Sequence, residues 1–207
     1  MDEMRLFHFL FVRMVSFMKI DMKALGNDTV LAGAVTGKAV FVKVIAETAI
    51  EPTEPTALIM DFDDVQIATA SFLRETVFAA KTYMRARQSA FYPVVANLNA
   101  EIRDELAVLT EALNDAIISC EISSSGVLSN VQLFGKLDPK QQITFDYIVE
   151  NRVADANTLK EQLGDTDKAK NTNAWNNRLA SLVARGVIKE FSRGRAKFYK
   201  PILDEAV

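Results

Sequence analysis

The residues best suited to chemistry lie near the C-terminal end of the 207-residue chain. Asn173, Asn177, Arg178 and Ser181 fall within a segment of helical periodicity, on the side opposite Trp175 and Leu179. Asn and Arg can make paired hydrogen bonds with adenine and guanine edges in the DNA major groove, and Ser can bond either base. Lys170 precedes this segment, and Arg193, Arg195 and Lys197 cluster in a short turn after it. Clustered cations of this kind are candidates for phosphate contacts, which would add affinity that falls with salt and carry little sequence information.

Elsewhere the reactive residue types stand apart from one another. His8, the only histidine, sits in an apolar stretch with no second ligand type beside it, and the single cysteine, Cys120, lies in an apolar run. Asp61, Asp63 and Asp64 are as compatible with solvation of a loop as with paired acid–base chemistry. Gly33-Ala-Val-Thr-Gly37-Lys38-Ala39 resembles a phosphate-binding loop, but it has three residues between its glycines where four are needed. Ala39 also stands where Ser or Thr would hold magnesium. No catalytic residues, no cofactor and no metal are therefore expected, and the chain reads as non-enzymatic.

The composition is that of a folded chain, with 49% hydrophobic and 25% charged residues and few Gly or Pro. The length suits two domains, each able to bury a core. One cysteine cannot form an internal disulfide, so a cytoplasmic location is expected. The net charge of −3 divides unevenly: 1–135 carries 11 Lys+Arg against 17 Asp+Glu, and 136–207 carries 13 against 10. Over 164–200 nine cations face three acids, which predicts either a polyanion surface or a solvated charged face. The apolar run at 6–12 is short, is broken by Arg13 and leads to no small-residue cleavage site, so neither a signal peptide nor a membrane span is expected. Segment 1–18 reads either as an amphipathic stretch that packs on the domain or a partner, or as sequence upstream of a true start at Met18.

The elements that must position these residues alternate between strand-like and helical patterns. Strands are predicted at 19–22, 57–62, 91–96, 116–122 and 127–134, with a strand-and-turn region at 29–34. Helices are predicted at 36–48, 71–87 and 101–114; the second carries Phe72, Thr76, Ala79, Ala80 and Tyr83 at helical spacing, and the third buries Ile102, Leu106, Leu109 and Leu113. Such alternation implies an α/β unit with helices packed on a small mixed sheet. Asp61-Phe62, then Val65, then Ser71-Phe72 and Glu75 resemble, in order and spacing, the strand, acidic loop and helix start of STAS-like domains, which are related to anti-sigma-factor antagonists. The resemblance covers about 30–123 and implies a module that binds a protein partner. In partner-switching relatives a Ser or Thr at this helix start is phosphorylated, so Thr69 and Ser71, beside Asp63 and Asp64, are the candidate modification or partner site. This chain departs from the pattern at Ala70, where relatives often carry a hydroxyl, and Ser71 also reads as a simple helix N-cap.

The C-terminal part opens with Asp138-Pro139 as N-cap and first residue of a helix through Asn151, with Ile143, Tyr147 and Ile148 turned inward. A second helix starts near Asp155, carries Leu159 and Leu163 on one face and meets Gly164, predicted as a left-handed cap. The third starts at Asn171 or Thr172, buries Trp175, Leu179, Leu182 and Val183, and stops at Gly186; two short strands joined by Ser192-Arg-Gly-Arg195 follow. Over 137–201, and most closely over 179–201, the chain resembles winged helix-turn-helix regulators. That implies a third helix in the major groove and a hairpin wing along the phosphates.

The sequence thus predicts a STAS-like α/β domain at 19–135 and an α+β winged helix-turn-helix domain at 136–207. The first would dock or sense an unidentified protein partner and the second bind double-stranded DNA. The alternative is a partner-switching interaction module without direct DNA binding.

Overall fold

The computed structural model describes residues 17–165 and 171–203, and of Arg193 the backbone alone. The first part of the chain runs β1 (Phe17–Asp21), α1 (Met22–Gly26), β2 (Val30–Leu31), α2 (Ala34–Glu47), β3 (Thr56–Asp61) and β4 (Ile67–Ala68). It continues through α3 (Ala70–Leu73), a π-helical turn (Arg74–Phe78), α4 (Ala79–Ala86), β5 (Phe91–Ala96), α5 (Ala100–Leu113), β6 (Ala116–Ile122) and β7 (Leu128–Gly135). The last part comprises α6 (Pro139–Asn151), α7 (Ala156–Leu163), α8 (Thr172–Ala184), β8 (Ile188–Arg193) and β9 (Ala196–Pro201).

Five strands form the central sheet in the order β1-β3-β5-β6-β7, parallel except for β7. Every residue of β3 and β5 is buried, which is why 57–60 and 91–96 read as apolar runs rather than alternating ones. The parallel strands advance across the sheet in one direction, and crossovers of a parallel sheet are right-handed, so the connecting helices are driven to a single face. Val40 and Val44 of α2, Phe72, Val77 and Met84 of the second helical run and Ile102 and Leu106 of α5 accordingly pack on Leu58, Met60, Val95 and Ile117.

The helix predicted at 71–87 runs over 70–86 and contains the π turn. Gly37 of α2 packs against this turn so closely that a Cβ there would lie 2.9 Å from both the Phe72 carbonyl oxygen and Glu75 Cβ. The Thr76 hydroxyl donates to the Gly37 carbonyl at 2.9 Å across that contact. Thr69, not Ser71, is the N-cap: its backbone is extended and its Oγ1 accepts from Phe72 N. Tyr83, at the end of the helical spacing, is exposed and meets Phe41 edge to face, and Leu113, expected to be buried at the end of α5, is exposed while Thr110 is buried.

The opposite face of the sheet has no crossover helix to cover it, and the C-terminal segment takes that role. Phe145, Ile148, Trp175, Leu179, Leu182, Val187 and Tyr199 form one cluster with Ala57, Ile59, Val94, Ile118 and Cys120 of the sheet. Sequence reading expected two separately cored units; the apolar strands β3, β5 and β6 instead supply the core of both. Tyr92 of β5 reinforces the junction by accepting at Oη from Glu190 N at 3.3 Å.

Within this layer Asp138 caps α6 with Pro139 in the first turn, as the sequence predicts, and Gln141 completes a reciprocal box with it. Ile143 is exposed rather than inward, because the contact to the sheet and α8 sets the helix phase on Thr144, Phe145 and Ile148. Gly164 is right-handed (φ −59°) rather than left-handed, since its N–H continues the helix to Lys160 O. Gly186, after α8, is the left-handed glycine, at φ +64°.

Candidate nucleic-acid interface

Helix α8 starts where the Asn171 side chain accepts from Asn173 N at 2.9 Å. Trp175, Leu179 and Leu182 are fully buried and fix its rotation. That rotation leaves Asn173, Asn176 and Asn177 exposed together, since positions three and four apart share a helix face. Asn176 escaped the sequence reading; the signal that could have found it was its place between Trp175 and Asn177 on the polar side of the wheel.

Two residues expected on that face are turned elsewhere. Arg178 is half-buried, with its guanidinium carbon 4.4 Å from the Trp175 ring centroid. Ser181 accepts at Oγ from Gln141 Nε2 at 2.8 Å, tying α8 to α6. Both are engaged away from the open face, and of the residues expected there Asn173 and Asn177 stand open.

The basic hairpin forms as predicted, with β8 and β9 antiparallel from Ile188–Pro201 to Arg193–Ala196. Gly194, at φ +62°, makes the tight turn, and Arg195 beside it is exposed. Lys197 is 60% exposed and pairs with Glu190 at 2.8 Å, which offsets part of its charge. Phe191 and Phe198 stack across the hairpin at 5.7 Å and stiffen it. Ala154, between α6 and α7, adds a third extended segment by exchanging both backbone hydrogen bonds with Tyr199. Lys170 lies outside the described residues, as does the side chain of Arg193.

The candidate modification site forms at the other side of the molecule. Thr69 Oγ1 accepts from Gly33 N at 3.1 Å and lies 3.1 Å from Ser71 Oγ, so both hydroxyls belong to one network. The Glu105 carboxylate accepts from Ala70 N at 2.6 Å, placing a negative charge where a phosphate on either hydroxyl would otherwise gain most. Asp63 and Asp64 are exposed, and Asp64 pairs with Lys23. Asp61 is buried and wholly engaged: Lys19 Nζ, Asn97 Nδ2 and Asp63 N all donate to it, stitching the carboxyl ends of β1, β3 and β5 together.

Among the described residues three groups are strongly perturbed: Cys120 and Lys81, away from these surfaces, and Tyr199, on the inner side of the hairpin. Burial pushes the Cys120 thiol up to about 12, helped by the negative charges of Asp61 and Glu121, and a thiol so held is no nucleophile. Tyr199 is likewise raised to about 12 by burial and by Glu190. Burial lowers Lys81 below the ordinary lysine value even though Asp115 pulls it the other way. Among the described residues no helix is long and apolar enough to cross a membrane.

No protein-family model matches the chain, and no curated protein matches its sequence.

Proposed function

We propose that the protein is a DNA-binding transcriptional regulator or adaptor in which α6–α8 and the β8–β9 hairpin act as a winged helix-turn-helix. The observation that carries the reading is the open face of α8, where Asn173, Asn176 and Asn177 stand together beside a basic hairpin. The order of helix, bridging strand residue, two helices and hairpin supports it, because it is the order in which a winged helix presents its third helix and wing. Asn173, Asn176 and Asn177 would read base edges, while Arg193, Arg195 and Lys197 would contact phosphates. Residues 19–135 are read as a STAS-like module that docks a protein partner, supported by Val35 and Val42 standing 85% and 65% exposed on α2. A phosphate on Thr69 or Ser71 would have to compete with the Glu105 carboxylate already at that helix start.

The test is a fluorescence-anisotropy titration of the full chain against random-sequence duplex DNA at low and physiological salt. Binding that weakens steeply with salt supports the reading and justifies selection of a preferred site. No binding at low salt overturns it and leaves the partner-switching module, without direct DNA binding, as the account of the chain.

A further inference from the structure

Where the C-terminal layer meets the rim of the sheet, an open cleft of about 660 Å³ runs between α4 and the α5–β6 turn on one side and α6 and α8 on the other. Its charged lining is Lys81, Arg85 and Arg185 against Asp115 alone. Three cations and one anion leave an excess of two positive charges in a partly desolvated place, where charges are ordinarily paired.

The hydrogen bonds of these cations do not remove that excess. Lys81 is 4% exposed and donates to Asp115 Oδ1 and to Ala116 O, both at 2.6 Å. Arg185 donates to Gln141 Oε1 and Asn114 O, and Arg85 to the carbonyls of Ser89 and Phe91 while stacking over Tyr92 at 3.8 Å. Apart from Asp115 these acceptors are neutral. The carbonyl ends of α4, α5 and α8 offset part of the charge, as helix C-termini do. They leave Arg85 Nε unsatisfied: it is buried and has no hydrogen-bond partner among the described residues. Arg85 Nε is itself occluded from the cleft, so it is the excess of positive charge along the wall of a cleft of ligand size that an oxyanion would complete.

We propose that this cleft binds a small, multiply charged oxyanion, a phosphorylated or polycarboxylate metabolite, held by Arg85, Arg185 and Lys81. The bound anion would join α4 of the first layer to the last turn of α8, so occupancy would bias the placement of the helix that carries Asn173 and Asn177. The binding site itself does not depend on the DNA-binding reading.

The experiment is thermal unfolding of the full chain with pyrophosphate or succinate, at ionic strength matched with chloride. A saturable rise in the midpoint is expected with at least one anion, since a ligand that binds only the folded state stabilises it by mass action. A response to pyrophosphate alone identifies phosphate chemistry, and a response to succinate alone identifies carboxylate chemistry. Arg85→Gln is expected to lose the response. Thr82→Glu, which adds a carboxylate to the cleft wall, is expected to raise the midpoint without ligand and to blunt the response. Arg195→Ala, on the hairpin, is expected to keep it. No saturable shift with either anion, a wild-type response in both cleft variants, or a response lost in Arg195→Ala would overturn the proposal.

Discussion

The Arg178 guanidinium carbon lies 4.4 Å from the centroid of the Trp175 ring, and Trp175 is fully buried. The cation is therefore a stabilising lid on the core side of α8 and is withdrawn from the face that carries Asn173 and Asn177. Arg178→Ala is expected to cost about 1–2 kcal/mol through lost cation–π contact and stem packing. Base preference in a DNA site selection is expected to stay unchanged. Denaturant unfolding and selection on the same variant check both; a changed preference would return Arg178 to the reading face.

The sheet lends one of its faces to the C-terminal layer, so the two halves of the chain cannot unfold separately without exposing that face. A single transition is expected, with fluorescence of Trp175, the chain's only tryptophan, coinciding with far-ultraviolet circular dichroism. Trp175→Ala is expected to destabilise the whole chain by about 3–5 kcal/mol. Two separated transitions would show that each half holds its own core.

Gly37 is required for the close crossing of α2 on the π turn. Gly37→Ala forces a Cβ to within 2.9 Å of the Phe72 carbonyl oxygen and is expected to cost about 1–3 kcal/mol by overpacking, despite alanine's better helix propensity. A midpoint at or above wild type in chemical denaturation would contradict this.

Alkaline pH should expose the buried thiol. The folded-state pKa of Cys120 is raised from 9.0 to about 12, so the unfolded chain gives up its proton first. The stability this contributes is complete below pH 9 and is lost as pH rises through 9 to 12. Tyr199 acts in the same direction between 10 and about 12. Lys81, lowered by burial, acts oppositely: its penalty fades as pH rises from its folded-state value toward 10.5. Cys120→Ala is thus expected to flatten the fall in melting midpoint above pH 9, and native Cys120 to resist thiol reagents until the chain unfolds.

What the sequence made legible was whatever depended on local pattern. The run at 91–96 is β5 to the residue, and Asp138-Pro139 starts α6 because a cap and a proline act within one turn. The π turn was invisible because no local pattern at 74–78 marks it, and the contact made there comes from Gly37, 37 residues upstream of Arg74. The phase of α6 was misread at Ile143 because contact with the sheet, not periodicity, chooses Phe145. Arg178 and Ser181 were assigned to the open face because their polarity suits it, whereas Trp175 and Gln141 claim them. The cleft had one overlooked signal: Lys81 occupies the same stripe as Val77 and Met84, where a cation must find partners.

The central claim, that the α8 face and the hairpin bind DNA, is tested most directly by the salt dependence of duplex binding in the full chain and in Arg195→Ala/Lys197→Ala. Each phosphate contact contributes about 0.9 to the slope of log K against log salt. The account predicts measurable binding by the wild-type chain, a slope shallower by about 1–2 in the double variant, and weaker binding across all sequences. An unchanged slope and affinity in that variant, or no binding by the wild-type chain at low salt, would contradict it.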